Sequence, residues 1–188
     1  VIGALQVLNK PGGFQDSDVK LLGFAASFSA SALVTQKLRQ EAEAARLLFH
    51  ELEIARDVQN RLFPPHPPLI SGLDIAAYCR PANFVGGDYY DFLYRRDSEL
   101  WFTVGDVSGK GVSAAVLMAS LQASLRTELN SRPGSAAEVV SDLNQTVCSS
   151  FGQERYSTLF CARLNPSDRK LTYVNAGHVY PRLLRSGG

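Results

Sequence analysis

The sequence predicts a layered α/β domain, with helices packed on antiparallel strands, preceded by one long helix. Three observations carry this reading. A stretch from about Ser17 to Leu62 holds no proline and only one glycine, Gly23. The run Pro64-Pro65-His66-Pro67-Pro68 then blocks helical continuation. Beyond it, strand-like runs flank a pair of helical segments, the order expected when helices cover one sheet.

Taken in order, Val1–Leu8 reads as a strand and Lys10-Pro11-Gly12-Gly13 as a turn, with Asp16 placed to cap the helix. That helix would run roughly 65–70 Å at about 1.5 Å per residue. Its first part, with Leu21, Leu22, Phe24, Ala25 and Phe28, is apolar enough to pack on a domain upstream. Its second part is thinner: Ala45, Leu48, Leu52, Ala55, Gln59 and Leu62 follow alternating three- and four-residue steps, a coiled-coil seam. Charges flank it, with Glu43 and Arg46, and Glu53 and Arg56, at i,i+3 spacing. After the prolines, Leu73–Cys79, Tyr89–Tyr94 and Leu100–Val107 have strand composition. Val112–Asn130 and Ser135–Ser150 read as helices separated by Arg132-Pro133-Gly134. Tyr156–Leu164 and Lys170–Asn175 form a hairpin around Asn165-Pro166-Ser167-Asp168.

Composition excludes several functions. The formal net charge of +1 and the lack of a Lys/Arg cluster argue against nucleic acid as a partner. Cys79, Cys148 and Cys161 are far apart and without a CxxC pair, which reads as reduced, mostly buried thiols in a cytoplasmic protein. His50, His66 and His178 are equally scattered, against a His-rich metal site. No uninterrupted apolar run approaches the ~20 residues of a membrane span, so no membrane insertion is expected. The first residue is not methionine and the last three are Ser186-Gly187-Gly188, so a fragment of a longer protein is expected.

The chemistry lies in two acidic loops. Gly86-Gly87-Asp88 lies between two strand runs, where glycine allows a tight turn and close approach while Asp88 supplies a hard oxygen. Asp106 ends a strand and opens Val107-Ser108-Gly109-Lys110-Gly111, in which main-chain carbonyls are also free. Carboxylate, carbonyl and water are what Mg²⁺ or Mn²⁺ prefers, and two such ions can activate water and neutralise a phosphoryl group. Either loop alone is an ordinary turn; both in order form a stronger pattern. A P-loop requires four residues between Gly and Gly-Lys, then Ser or Thr, and this sequence has three and then Gly111. A diguanylate-cyclase hairpin, to which Gly86-Gly87-Asp88-Tyr89-Tyr90 is also similar, needs an earlier acidic strand end, and residues 64–85 offer only Asp74.

Val85-Gly86-Gly87-Asp88-Tyr89-Tyr90-Asp91-Phe92, Val104-Gly105-Asp106-Val107-Ser108-Gly109-Lys110-Gly111 and Asn175-Ala176-Gly177-His178 stand in the order seen in the PPM (protein phosphatase 2C-like) family. They resemble its RsbU/SpoIIE-like branch, the bacterial sigma-factor regulators, as does Glu53–Gln59 through Leu62-Phe63-Pro64. Residues 1–38, with Leu5-Gln6-Val7-Leu8-Asn9-Lys10, resemble the end of a GAF sensor domain. The seam makes residues 39–63 a dimeric coiled-coil connector, the alternative being an amphipathic helix packed on its own chain, and the resemblance implies 64–188 as the N-terminal part of a PPM β-sandwich with flanking helices. It implies a metal-dependent serine/threonine phosphoprotein phosphatase, attacking with metal-activated water, whose substrate is an anti-anti-sigma-like phosphoprotein. Asp106 would bridge two Mg²⁺ or Mn²⁺ ions, with Asp88 and the Val107 carbonyl completing one ion's protein ligands. Asp91 is a candidate supporting acid, Lys110 a candidate substrate-phosphate contact, and His178 a fixer of its loop. Ser108 has no His near it in sequence and is not expected to be a nucleophile. The family's further aspartates are absent here, so this stretch should bind metal weakly and turn over poorly. The alternative is a non-catalytic, dimeric partner-binding module.

Overall fold

The computed structural model describes residues 2–94, 99–131, 134–151 and 154–185. Three helices and four strands form in the order α1 (Asp16–Asn60), β1 (Asp88–Tyr94), β2 (Leu100–Val107), α2 (Val112–Ser131), α3 (Ala136–Phe151), β3 (Ser157–Asn165) and β4 (Lys170–Ala176). The residues divide into two compact units, Val1–Glu51 and Leu52–Gly188.

In the first unit, residues 2–9 form no strand. A strand exists as half of a ladder, and no described residue pairs with these. The helix start is also built differently from expectation. The Asp18 carboxylate, not Asp16, accepts the Gln15 N–H at 2.8 Å and pairs with Lys10, an N-terminal cap closed from inside the first turn. Leu21, Phe24 and Phe28 are exposed. By length and composition α1 is apolar enough to cross a membrane.

The second unit contains the sheet, an antiparallel meander in the order β1-β2-β3-β4. Alternation along the strands sorts side chains onto two faces. Tyr89, Asp91, Trp101, Thr103, Val107, Leu159 and Cys161 are buried on the face that α2 and α3 cover. Helix α2 presents Ala114, Met118, Leu121, Leu125 and Leu129 at helical spacing, and α3 presents Val139 and Leu143. Helix α3 starts on a capping box: Ser135 Oγ accepts the Glu138 N–H, and the Glu138 carboxylate accepts the Ser135 N–H at 2.7 Å. The predicted break at Arg132-Pro133 lies outside the described residues. The β3–β4 turn is held by Asn165 and Asp168 side chains, which accept the Ser167 and Lys170 N–H groups.

The opposite face carries an aromatic ladder: Tyr90 contacts Phe63 and Phe92, and Phe160 contacts Phe102 and Tyr173. Leu73–Cys79, expected as strand, pairs with no described strand. Its first part, Leu73–Ala77, lines a cavity of about 410 Å³ against Tyr90, Phe92, Phe102 and Val104 of this face. One sheet with helices on one side is therefore what the described residues form. Of the three cysteines, Cys161 is buried, Cys79 half-buried and Cys148 exposed, so burial is less general than predicted.

Asp91 is fully buried under the helices rather than placed to support a metal. Its carboxylate accepts Arg126 Nε at 2.7 Å, Arg126 Nη2 at 2.9 Å, the Tyr89 hydroxyl at 2.8 Å and the Phe92 N–H at 2.9 Å. The Tyr89 hydroxyl proton is held well above the ordinary phenol range by burial and by Asp91. This network ties β1 to α2. Truncating Arg126 to alanine strands a buried carboxylate and is expected to cost about 3 kcal/mol in urea unfolding; a loss below about 0.5 kcal/mol would mean that water replaces the guanidinium.

Candidate metal centre

Pairing between β1 and β2 places Asp88 directly opposite Asp106, at one end of the sheet. Cross-strand partners share a face and stand with Cβ atoms about 4.5–5.5 Å apart. Both carboxylates lie on the face away from the helices, and both residues are exposed. The same row continues into β3, where Thr158 is opposite Asp106. Thr158 Oγ1 is 2.8 Å from His178 Nδ1. The sheet thus gathers residues from all three sequence motifs at one strand end.

The Asp106 carboxyl is raised above its ordinary range, first by partial burial and then by the Asp88 charge, with His178 acting in the opposite sense. Two like charges held together favour a cation between them. The neighbouring backbone fits the same purpose. A side-chain carbon on Gly87 would come within 2.5 Å of the Val107 carbonyl oxygen, and the Val107 N–H donates to the Gly87 carbonyl at 3.2 Å. Only glycine lets the two loops close so tightly, leaving two carboxylates and a carbonyl as hard oxygen donors. That set suits Mg²⁺ or Mn²⁺. No group of three or more His, Cys, Asp or Glu side chains converges among the described residues, so the donor set here is an incomplete cage.

Sequence reasoning missed the residue that grips the first loop. Gln59, read as a seam position, is 5% exposed and the buried residue of α1. Its amide donates to the Gly86 carbonyl at 2.7 Å and accepts the Gly86 N–H at 3.1 Å. Leu62, the next seam position, packs against the core, and its carbonyl accepts from the Gln122 amide. These two positions are therefore occupied within this chain. A polar residue at a seam was the available signal. Gln59 and Val107 hold Gly86-Gly87-Asp88 from opposite sides.

The remaining expectations are sorted by their contacts. Ser108 is structural: its N–H donates to the Tyr156 carbonyl at 2.9 Å and its hydroxyl accepts the Tyr156 N–H at 3.0 Å. His178 is fixed by Asn175, which accepts its N–H at 2.8 Å and donates to its carbonyl at 3.0 Å. Its ring also faces the metal row through Thr158, which the sequence did not show. Lys110 is exposed and has no fixed contact among the described residues.

The described residues thus form a four-stranded antiparallel meander with helices on one face and paired aspartates at the strand ends. Residues 96–188 match the family described as Stage II sporulation protein E (SpoIIE), and the chain carries a SpoIIE-type domain of the PPM family. Phosphoserine phosphatase RsbU of Bacillus subtilis (strain 168) is 33% identical over 130 residues, covering 68% of this chain and 38% of that protein. Protein IcfG of Synechocystis sp. is 26% identical over 202 residues, covering 94% of this chain and 32% of that protein. Phosphoserine phosphatase RsbP of B. subtilis is 24% identical over 132 residues, covering 68% of this chain and 32% of that protein. The SiaA-PP2C domain of Pseudomonas aeruginosa superposes with a TM-score of 0.57 at 19% identity, over 70% of this chain and 55% of that one, a likeness of fold. The chain thus spans 32–38% of the length of these curated relatives.

Gln59→Ala removes both bonds to Gly86 and is expected to weaken Mn²⁺ binding about tenfold, the usual scale for losing a group that orients a ligand. Calorimetric titration checks this, and an unchanged affinity would show that Val107 alone holds the loop. Asp106→Asn should raise the thermal midpoint of the metal-free protein at pH 7 by removing the repulsion from Asp88. The gain should vanish at a pH where both carboxyls are protonated, since a raised carboxyl costs stability only once it ionises.

Proposed function

We propose that the intact protein is a Mg²⁺- or Mn²⁺-dependent serine/threonine phosphoprotein phosphatase of bacterial signalling. The placement of Asp88 opposite Asp106, beside the Val107 carbonyl, is the observation that supports this most. Asp88, Asp106 and the Val107 carbonyl would hold the ion, and Asp106 would be the residue shared with a second one. When bound, the metal supplies Lewis acidity, neutralising phosphoryl charge and making water nucleophilic at neutral pH. The chain's own part is positional. Gln59 and the Val107 backbone hold Gly86 and Gly87, next to Asp88, Ser157 Oγ donates to the Asp106 carbonyl at 3.1 Å, and Lys110 offers an exposed cation to the substrate.

The substrate class that goes with this reading is a phosphoserine or phosphothreonine protein of the anti-anti-sigma type, in the cytoplasm. Two relatives that carry the name phosphoserine phosphatase support the phosphoserine part. A non-catalytic partner-binding module is the second reading, favoured by the incomplete donor cage. Mn²⁺-dependent phosphate release from a phosphoserine protein by the full-length enzyme separates the two. Asp106→Asn is expected to lower that activity at least ten- to a hundredfold. Retention of more than about a tenth of it would count against the ligand assignment.

In the same reading, residues 1–38 end a GAF-like sensor and 39–63 connect it, as a parallel helix pair, to the phosphatase. With Gln59 and Leu62 engaged within the chain, the seam rests on Ala45, Leu48, Leu52 and Ala55. Leu48 is exposed and available. Leu48→Asp with Leu52→Asp should convert a dimer to monomer in light scattering at micromolar concentration. A parent already monomeric there would sink the connector idea.

A further inference from the structure

We propose that Arg155 is the guanidinium that orients the substrate's phosphate, a role resting on the phosphatase reading above. Arg155 stands just before β3, where the chain runs beside the loop that follows Asp106. Its Nη1 donates to the Ser108 carbonyl at 3.1 Å. A side-chain carbon on Gly109 would lie 2.2 Å from the same nitrogen, so the guanidinium lies directly on bare glycine backbone. Gly109 has φ +106, which other residues rarely adopt, so the loop is shaped to receive that group. The two bonds between Ser108 and Tyr156 lock the adjoining backbone, which holds Arg155 in place.

One N–H is thereby committed, and the exposed side chain keeps its other donors for a ligand. Among the described residues Arg155 forms no ion pair, and its hydrogen bond goes to the Ser108 carbonyl. Placement on the loop that follows Asp106, rather than on the carboxylates, matters. A guanidinium bound to Asp106 would compete with the metal, whereas one on Ser108 and Gly109 leaves the metal donors free. A phosphate monoester brought to the metal is a dianion with oxygens to spare, and the planar fork of arginine matches two of them. Lys110, in the same loop, is a flexible charge; Arg155 is a fixed one.

The test uses the full-length protein loaded with Mn²⁺. Inorganic phosphate is the calorimetric probe and p-nitrophenyl phosphate the reporter substrate. Arg155→Ala is expected to weaken phosphate binding and raise KM about tenfold each, with Mn²⁺ affinity held within about twofold. Arg155→Lys keeps a donor for the Ser108 carbonyl and should keep the thermal midpoint, yet recover less than about half of the lost phosphate affinity. Unchanged phosphate binding in both variants overturns the assignment, as does a parent that binds no phosphate. An equal loss of Mn²⁺ and phosphate affinity also overturns it, since Arg155 would then be a strap for the loop. Arg155-dependent phosphate binding without any hydrolysis supports the anion site and sinks the phosphatase reading. Hydrolysis that ignores Arg155 does the reverse.

Discussion

The register between β1 and β2 is the constraint on which the site depends. Because strand side chains alternate with a period of two, a slip by one residue would send Asp88 and Asp106 to opposite faces. The observed pairing prevents it by what it buries. Tyr89, Asp91, Trp101, Thr103 and Val107 fit under the helices only in this register. The Asp91 network with Tyr89 and Arg126 reinforces it, since any slip would leave a buried carboxylate unpaired. The acid under the sheet and the acids on top of it are therefore coupled: the first fixes the register that brings the others together.

The backbone completes what the register begins. Two hairpin strands ending together would leave the Gly86-Gly87 loop free to swing. Contact between Gly87 and Val107 closes it on one side and Gln59 closes it on the other. Gln59 lies near the C-terminal end of α1, so the end of the long helix is physically attached to the loop that carries Asp88. The aromatic ladder of the outer face runs from Tyr90 beside this loop to Tyr173 on β4, and Phe63, just beyond α1, packs on it. Helix end, loop and sheet face are thus one contiguous packing unit.

Sequence reasoning did best where a local rule decides the outcome. The proline run ended the helix, the second helical segment began within a residue of its expected start at Ser135, and the polar turn between β3 and β4 placed a hairpin within a residue or two. It did worst where a partner was needed. Val1–Leu8 and Leu73–Cys79 have strand composition, yet residues 2–8 and 73–79 pair with no described strand. Gln59 and Leu62 fitted a seam by spacing alone, and a packed domain took them instead. Asp91 was read as an acid supporting Asp88, three residues away, yet the odd separation puts it on the other face.

By itself, the sequence determined that this protein has a long helix, a proline break and a helix-covered antiparallel sheet with two acidic, glycine-rich loops. Those features follow from periodicity, turn chemistry and the hardness of carboxylate oxygen, all of which are local. Only the tertiary structure decided that Asp88 faces Asp106, that Asp91 is a buried ion pair, that His178 reaches the row through Thr158, and that Arg155 lies on Gly109. Each of these is a contact between segments distant in the chain or a choice of face. Such choices are made by register and packing across the whole sheet, which no single stretch of residues encodes.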